Sequence, residues 1–271
     1  MTSSPSSTAP STRSSPRSRP ARRASARANA WLREFYSHSP DHPDGWGLAT
    51  FHDGIPSLEK EPVQASRSPY LMARLTEPVE ARALIAHVRR ATVGATDRVN
   101  CHPFVGRDSR GRVWTLAHNG TIFRGDALGP FFAAQEGRTD SERVLLLLLD
   151  RVGARQDALG RALSADERFA EFAALCRDLS GGNKLDLLVF DGEQLLAHAN
   201  AEGTLHLREA DGVAALSTRP LGSGDGWTPL PLCAPVAFRD GVRAFSAPSH
   251  GRLYVPSPDD FRLFFTDYAA L

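Results

Sequence analysis

The feature that most constrains the fold is the punctuation of the apolar runs. Strand-like stretches of four to seven residues close on acid–glycine pairs: Trp46 to Phe51 before Asp53-Gly54, and Leu185 to Phe190 before Asp191-Gly192. Gln194 to His198, Thr204 to Leu207 and Val213 to Ser217 follow, separated by Glu202-Gly203 and Asp211-Gly212. Such pairs supply the left-handed backbone of tight hairpins, so both ends of the chain read as antiparallel strands, the later one a β-meander. Ala83 to Val88 and Val113 to Ala117 read as buried strands. Helical periodicity occupies Asn29 to Tyr36 (with Asn29 as N-cap), Ser68 to Leu75, Thr139 to Val152, and Asp157 to Leu179 with a gap near Ser164-Ala165-Asp166. The pattern predicts an α/β (α+β) fold of stacked layers with mostly antiparallel sheets.

The start of the chain obeys none of this. Residues 2–28 carry six arginines and no acid, and no Val, Ile, Leu, Phe, Tyr or Trp precedes Trp31. A stretch with so little to bury does not offset its ordering entropy, so 1–28 is expected to be disordered and 29–271 to form one domain. A basic arm, a transit peptide, a shifted start or reading frame, and a solvated tail all fit such a segment. The net charge of +1 gives no reason to expect a nucleic-acid or membrane partner. The longest apolar run, Val144 to Leu149, is far short of the ~20 residues a bilayer requires. Cys101, Cys176 and Cys233 are odd in number and lack CxxC spacing, which argues against a disulfide framework or zinc site and for a reducing cytoplasm. His38 and His42 have ligand spacing, but Pro40 between them argues for a loop, so neither a metal nor an organic cofactor is expected.

Five clusters carry chemistry. His87-Val-Arg-Arg-Ala-Thr92 follows a buried strand, where Arg89 and Thr92 make a plausible anion clamp; a surface arginine is the plainer reading. In His118-Asn-Gly-Thr121, the Asn119 amide and the Gly120 N–H aimed at one point would form an oxyanion hole, while the plain alternative is an Asn-Gly turn. Thr139-Asp-Ser-Glu142 is a capping box, in which Asp140 suits the helix dipole or holds a substrate ammonium. Cys101 beside His102 is a small buried hydrophobe rather than half of a catalytic pair, since neighbours on an extended strand face opposite ways. Asp44-Gly-Trp-Gly47 is a glycine-rich turn into a strand.

In order, His-Val-Arg-x-Ala-Thr, Val-Asn-x-His-Pro, His-Asn-Gly-x-Ile and Thr-Asp-Ser-Glu resemble the class II glutamine amidotransferases, over roughly nine-tenths of the chain. Asp-Gly-Trp-Gly is similar to the small stand-alone members. The resemblance implies a four-layer αββα sandwich of the N-terminal nucleophile hydrolase type. It implies glutamine or another γ-glutamyl amide as substrate, with the α-carboxylate on Arg89, the α-ammonium near Asp140, Thr92 lining the pocket, and Asn119 and Gly120 as oxyanion hole. Ammonia would pass to a separate acceptor partner or to solution.

In that family a cysteine directly after the initiator methionine attacks, with its own amino group as base. Here position 2 is Thr2, and no strand pattern follows it. Arg90 and Val93 also depart from the synthases, which often carry Trp and His there. A start or frame error, a pseudoenzyme that binds without turnover, and Thr2 as the nucleophile are the three expectations. The last is the weakest, because a long flexible tether forfeits orientation.

Overall fold

The computed structural model describes residues 19–91, 95–258 and 260, with side chains from residue 28 onward. Helix α1 (Arg19–Ser37) begins ten residues earlier than the Asn29 N-cap expected, so residues 19–28 are helical rather than without order. Asn29 is a helix-interior residue whose work is tertiary. Its amide donates to the carbonyls of Leu75 and Glu77 (3.3 and 2.8 Å) and accepts from Val79 N–H (2.6 Å). One face of α1 then packs Leu32 and Tyr36 over Trp46 and Leu48, and the Tyr36 hydroxyl donates to the Gly47 carbonyl at 2.8 Å.

Strands β1 (Trp46–His52) and β2 (Ile55–Glu61) form the expected hairpin. Asp53 and Gly54 sit at φ 50° and 80°, the two left-handed residues its turn needs. Helix α2 (Pro69–Arg74) is capped by Ser68, whose hydroxyl accepts from Leu71 N–H. Strand β3 (Ala83–Val88) pairs with the other edge of β1, closing a three-stranded sheet in the order β2-β1-β3.

The opposing sheet starts with β4 (Phe104–Arg107) and β5 (Val113–Thr121). Strand β5 outruns its predicted end at Ala117, so Asn119-Gly120 is strand and not a turn: Asn119 pairs with Asp186 and Gly120 with Leu185. Helix α3 (Asp140–Leu159) runs unbroken through the gap expected after Val152 and stops at Gly160, at φ 67°. Thr139 caps it by accepting from Glu142 N–H. Glu142 does not reciprocate: its carboxylate accepts from Glu136 and Gly137 N–H instead, so the predicted capping box is half made. The complete box belongs to α4 (Ala165–Leu179), on Ser164 and Glu167.

Strands β6 (Lys184–Phe190) and β7 (Leu195–His198) complete the hairpin at Asp191-Gly192. The predicted meander ends there. Glu202-Gly203 carries the chain out of this sheet into a separate one, made of β8 (His206–Ala210), β9 (Val213–Ser217) and β10 (Thr228–Pro229) in the order β10-β8-β9. Strands β11 (Val236–Arg239) and β12 (Val242–Ser246) return to the large sheet, whose order is β12-β11-β7-β6-β5-β4.

The layers follow from which faces are apolar. Trp114, Leu116, Leu187 and Val189 pack against Val144 and Leu148 of α3 and Phe172 of α4. Each such side chain contributes about 1.5–3 kcal/mol by leaving water. On the other face Ala117 and Phe190 meet Ala49, Phe51 and Ile85 of the three-stranded sheet, which α1 covers outside. The result is helix, sheet, sheet, helix. Its most demanding polar contact is Arg168 of α4 against Asp191, 2.6 Å apart with both side chains almost wholly buried.

Candidate active site

Between the sheets lies a cavity of about 1770 Å3. Three elements bring the sequence-predicted residues to its wall. Arg89 follows β3 and is held through its backbone, its N–H donating to Gly45 O (2.8 Å) and its carbonyl accepting from Asp44 N–H (3.0 Å). Asp44 also accepts from Ala91 N–H at 2.8 Å, so the Asp-Gly-Trp-Gly turn clamps the segment carrying the arginine. Burial pulls the guanidinium's pKa down, while Cys101, Asp44 and Asp140 hold it up.

Asn119 and Gly120 come from β5. The Lys184 ammonium donates to Asn119 Oδ1 at 3.4 Å. An ammonium only donates, so this contact engages the amide oxygen and leaves the amide N–H2 as the donor the residue can offer the cavity. Gly120 does not need a left-handed φ, contrary to what a turn would require. It needs room, since a Cβ there would collide with the Lys184 carbonyl. Asp140 opens α3 and ties it to the end of β5: one carboxylate oxygen accepts from Ile122 N–H (2.8 Å), the other from Ser141 N–H (2.8 Å). Arg89, Asn119, Gly120 and Asp140 thus line one cavity. Thr92 and Thr2 lie outside the described residues.

A histidine cluster backs this wall. His102 Nδ1 accepts from His118 N–H (3.4 Å) and lies 3.0 Å from His87 Nε2, which makes His87 the donor. His118 Nε2 donates to Lys184 O (3.0 Å), leaving Nδ1 to accept from the Ser141 hydroxyl (2.9 Å). Burial pushes the His87 pKa down to about 3, and burial beside His87 and His118 pushes His102 down as well. The His87 and His102 rings are therefore neutral hydrogen-bonding fixtures near pH 7. Cys101 is buried with Sγ 3.5 Å from the Glu61 carbonyl and 3.4 Å from that of Asp97, and burial raises its thiol pKa. It makes no pair with His102, whose ring bonds elsewhere.

The sequence profile of the class II glutamine amidotransferases matches residues 31–211, about two-thirds of the chain. The chain belongs to that family. Among its relatives, the uncharacterised Methanocaldococcus jannaschii protein MJ1515 is 31% identical over 65% of this chain and 48% of its own length, so the chain spans about half of it. The Escherichia coli protein YafJ, named as a glutamine amidotransferase, is 31% identical over 65% of this chain and 68% of its own. The γ-glutamyl-hercynylcysteine sulfoxide hydrolase of Mycobacterium tuberculosis is 27% identical over 72% of this chain and 74% of its own. A glutamine amidotransferase structure from Pseudomonas aeruginosa aligns at TM-score 0.57 and 22% identity, covering 74% of this chain and 86% of that one. The Bacillus subtilis glutamine phosphoribosylpyrophosphate amidotransferase aligns at TM-score 0.57 and 16% identity, covering 78% and 45%. At these identities the likeness concerns the fold, and it agrees with the αββα sandwich of the N-terminal nucleophile hydrolase type.

Two residues lining the cavity escaped the sequence reading. Lys184 and Asp186 flank the β5 pair from β6, and nothing local distinguishes them; only the register of the two strands places them there. Asp186 is 3% exposed and burial raises its pKa, with Lys184 Nζ 3.8 Å away. His87 and His118 stood inside the quoted motifs, and their mutual bonding through His102 required the sheets to be stacked.

Proposed function

We propose that this chain handles the γ-carboxamide of glutamine or of a larger γ-glutamyl amide. Arg89 would take the α-carboxylate through its planar fork, Asp140 the α-ammonium, and Asn119 with Gly120 N–H the carbonyl oxygen as it gains charge. One observation carries this: an arginine, a carboxylate and a half-satisfied amide, delivered by three separate elements, converge on one cavity. Hydrolysis would give glutamate and an amine, ammonia in the case of glutamine, which would leave to a separate acceptor or to solution. On the family's pattern the attacking group would come from outside the described residues. A second reading, binding without turnover, is favoured by the lining of the cavity, which holds no cysteine among the described residues.

A turnover assay separates the two. Glutamate release from glutamine and from a γ-glutamyl panel is measured for this chain and for a version in which a cysteine-initiated apolar strand precedes residue 19. The amidohydrolase reading expects activity in the second protein, reduced about 10²–10³-fold by Asn119→Ala, the typical cost of one oxyanion donor. Activity indifferent to that change would remove Asn119 from the mechanism. Binding without turnover in both proteins would select the second reading.

A further inference from the structure

A second, smaller pocket of about 730 Å3 opens beside the cavity, walled by the 40–44 loop, by Arg90 and Ala91, and by Arg219. His42, Arg90, Ala91 and Arg219 line the large cavity too, so these four residues form the boundary that the two spaces share. Three anchored segments bring them there. The loop carries Pro40 and Pro43, whose rings fix φ, and follows a short helical turn (Ser39–Asp41) that His42 N–H closes on the Ser39 carbonyl at 2.9 Å. Ser39 is itself buried, and its hydroxyl accepts from Ser66 N–H at 3.0 Å. Arg90 sits between Arg89 and Ala91, whose backbones are held by Asp44 and Gly45. Arg219 leaves the end of β9 with its N–H on the Ser217 hydroxyl (3.4 Å), just before Gly222 is tied to Glu34 of α1.

The cations at this boundary are not compensated. Arg82, Arg161 and Arg243 each stand against a carboxylate. The exposed side chains of Arg90 and Arg219 form no ion pair among the described residues. Asp41 and Asp44 also border the pocket, but Asp44 accepts from Ala91 N–H, and neither carboxylate pairs with Arg90 or Arg219. His42 is half-buried, and its Nδ1 has no hydrogen-bond partner. Burial lowers the pKa of its ring; the His38 carbonyl and Asp41 raise it, and Arg90 and Arg219 lower it again, so both guanidiniums stand close enough to act on the imidazole. Positive groups gathered by separate segments repel one another unless an anion sits among them.

We propose that this pocket is an oxyanion subsite that takes the terminal phosphate of a small phosphorylated molecule between Arg90, Arg219 and His42. Each planar guanidinium fork offers paired N–H donors to phosphate oxygens, and the ring, gaining a proton beside a dianion, adds a third donor. A terminal phosphate presents one oxygen to each of the three groups, whereas a carboxylate would leave one of them without a partner. Because the subsite opens onto the cavity that Arg89 lines, its occupant would stand beside whatever Arg89 binds. The proposal rests on the pocket and its unpaired cations and not on the glutamyl reading.

The test titrates inorganic phosphate into the full chain by calorimetry and follows the His42 ring by NMR. Saturable binding is expected, with the His42 pKa rising as phosphate is added. The double variant Arg90→Gln with Arg219→Gln is expected to bind about tenfold more weakly or worse. A control with the same loss of charge, Arg82→Gln with Arg243→Gln, should bind like the parent chain. Equal weakening in the control would reduce the effect to net charge and overturn the proposal. So would an unsaturable titration of the parent chain, or a His42 signal that phosphate does not move. Acetate bound as tightly as phosphate would give the subsite to carboxylates and overturn the phosphate assignment. Glutamine titration of the same samples reports separately on Arg89: its failure beside intact phosphate binding would sink only the glutamyl reading.

Discussion

The large sheet and the two small ones meet the same cavity in different states of completion. The six strands of the large sheet are laddered continuously from β12 to β4, and its β6–β7 turn is locked to α4 by Arg168 and Asp191. Its contribution to the site, Asn119 and Gly120, is fixed by register against β6. Across the cavity β3 and β9 end their sheets among the described residues, and α1 is joined to the 221–227 loop by Gly222 N–H on Glu34. The half of the site that would polarise a carbonyl is therefore built into a finished scaffold. The half that borders the open edges is incomplete among the described residues. Preorganisation is a property of ladders and caps more than of the named residues they carry.

The contrast can be broken first on the finished side. Asp191→Ala takes from the buried Arg168 guanidinium its fully buried partner, leaving it the half-exposed Glu193, and removes the acceptor of Glu193 and Gln194 N–H; it is expected to cost about 3–5 kcal/mol in chemical denaturation. A loss below 1 kcal/mol would show that the lock carries little.

Acid comes next. His87 and His198 each have a pKa pushed down to about 3, chiefly by burial. Unfolded, they titrate near 6.5, so the unfolded chain binds the protons. Their contribution is whole above pH 6.5 and drains as pH falls toward 3, at up to about 1.4 kcal/mol per pH unit for each ring. Denaturation midpoints between pH 7 and 5 measure it, and His198→Gln should flatten the slope. Gly120→Ala forces β5 from β6 and is expected to cost about 1–3 kcal/mol, with loss of ligand binding at the cavity; a neutral melting curve would count against the close approach. The smallest effect belongs to the open side. Arg82 and Asp240 meet at 2.6 Å but are more than half exposed, and Arg82→Ala should change stability by less than about 1 kcal/mol.

How much was legible in the sequence follows the same division. Local chemistry gave the Asp53-Gly54 hairpin, the Thr139 cap and the arrival of Arg89 at a strand end, because each is decided within a few residues. The plain alternative of a turn at Asn119-Gly120 stayed open because the neighbour strand, 65 residues on, was not in view; pairing with Asp186 and Leu185 overrides that local preference. Helix α1 was cut short for the mirror reason: its C-terminal half is anchored by Asn29 to residues 75–79, and composition alone does not show an anchor. Lys184, Asp186 and the His87–His102 contact exist only through register and sheet stacking. Their residue types announced nothing.

The central claim is that the converging residues recognise a glutamyl head group. Calorimetric titration of glutamine into the chain and into Arg89→Ala tests it most directly. The expected result is saturable binding, weakened about 10–100-fold in the variant, as the loss of a charged hydrogen-bonding pair worth about 1.5–3 kcal/mol requires. Equal affinity in both proteins would contradict the claim.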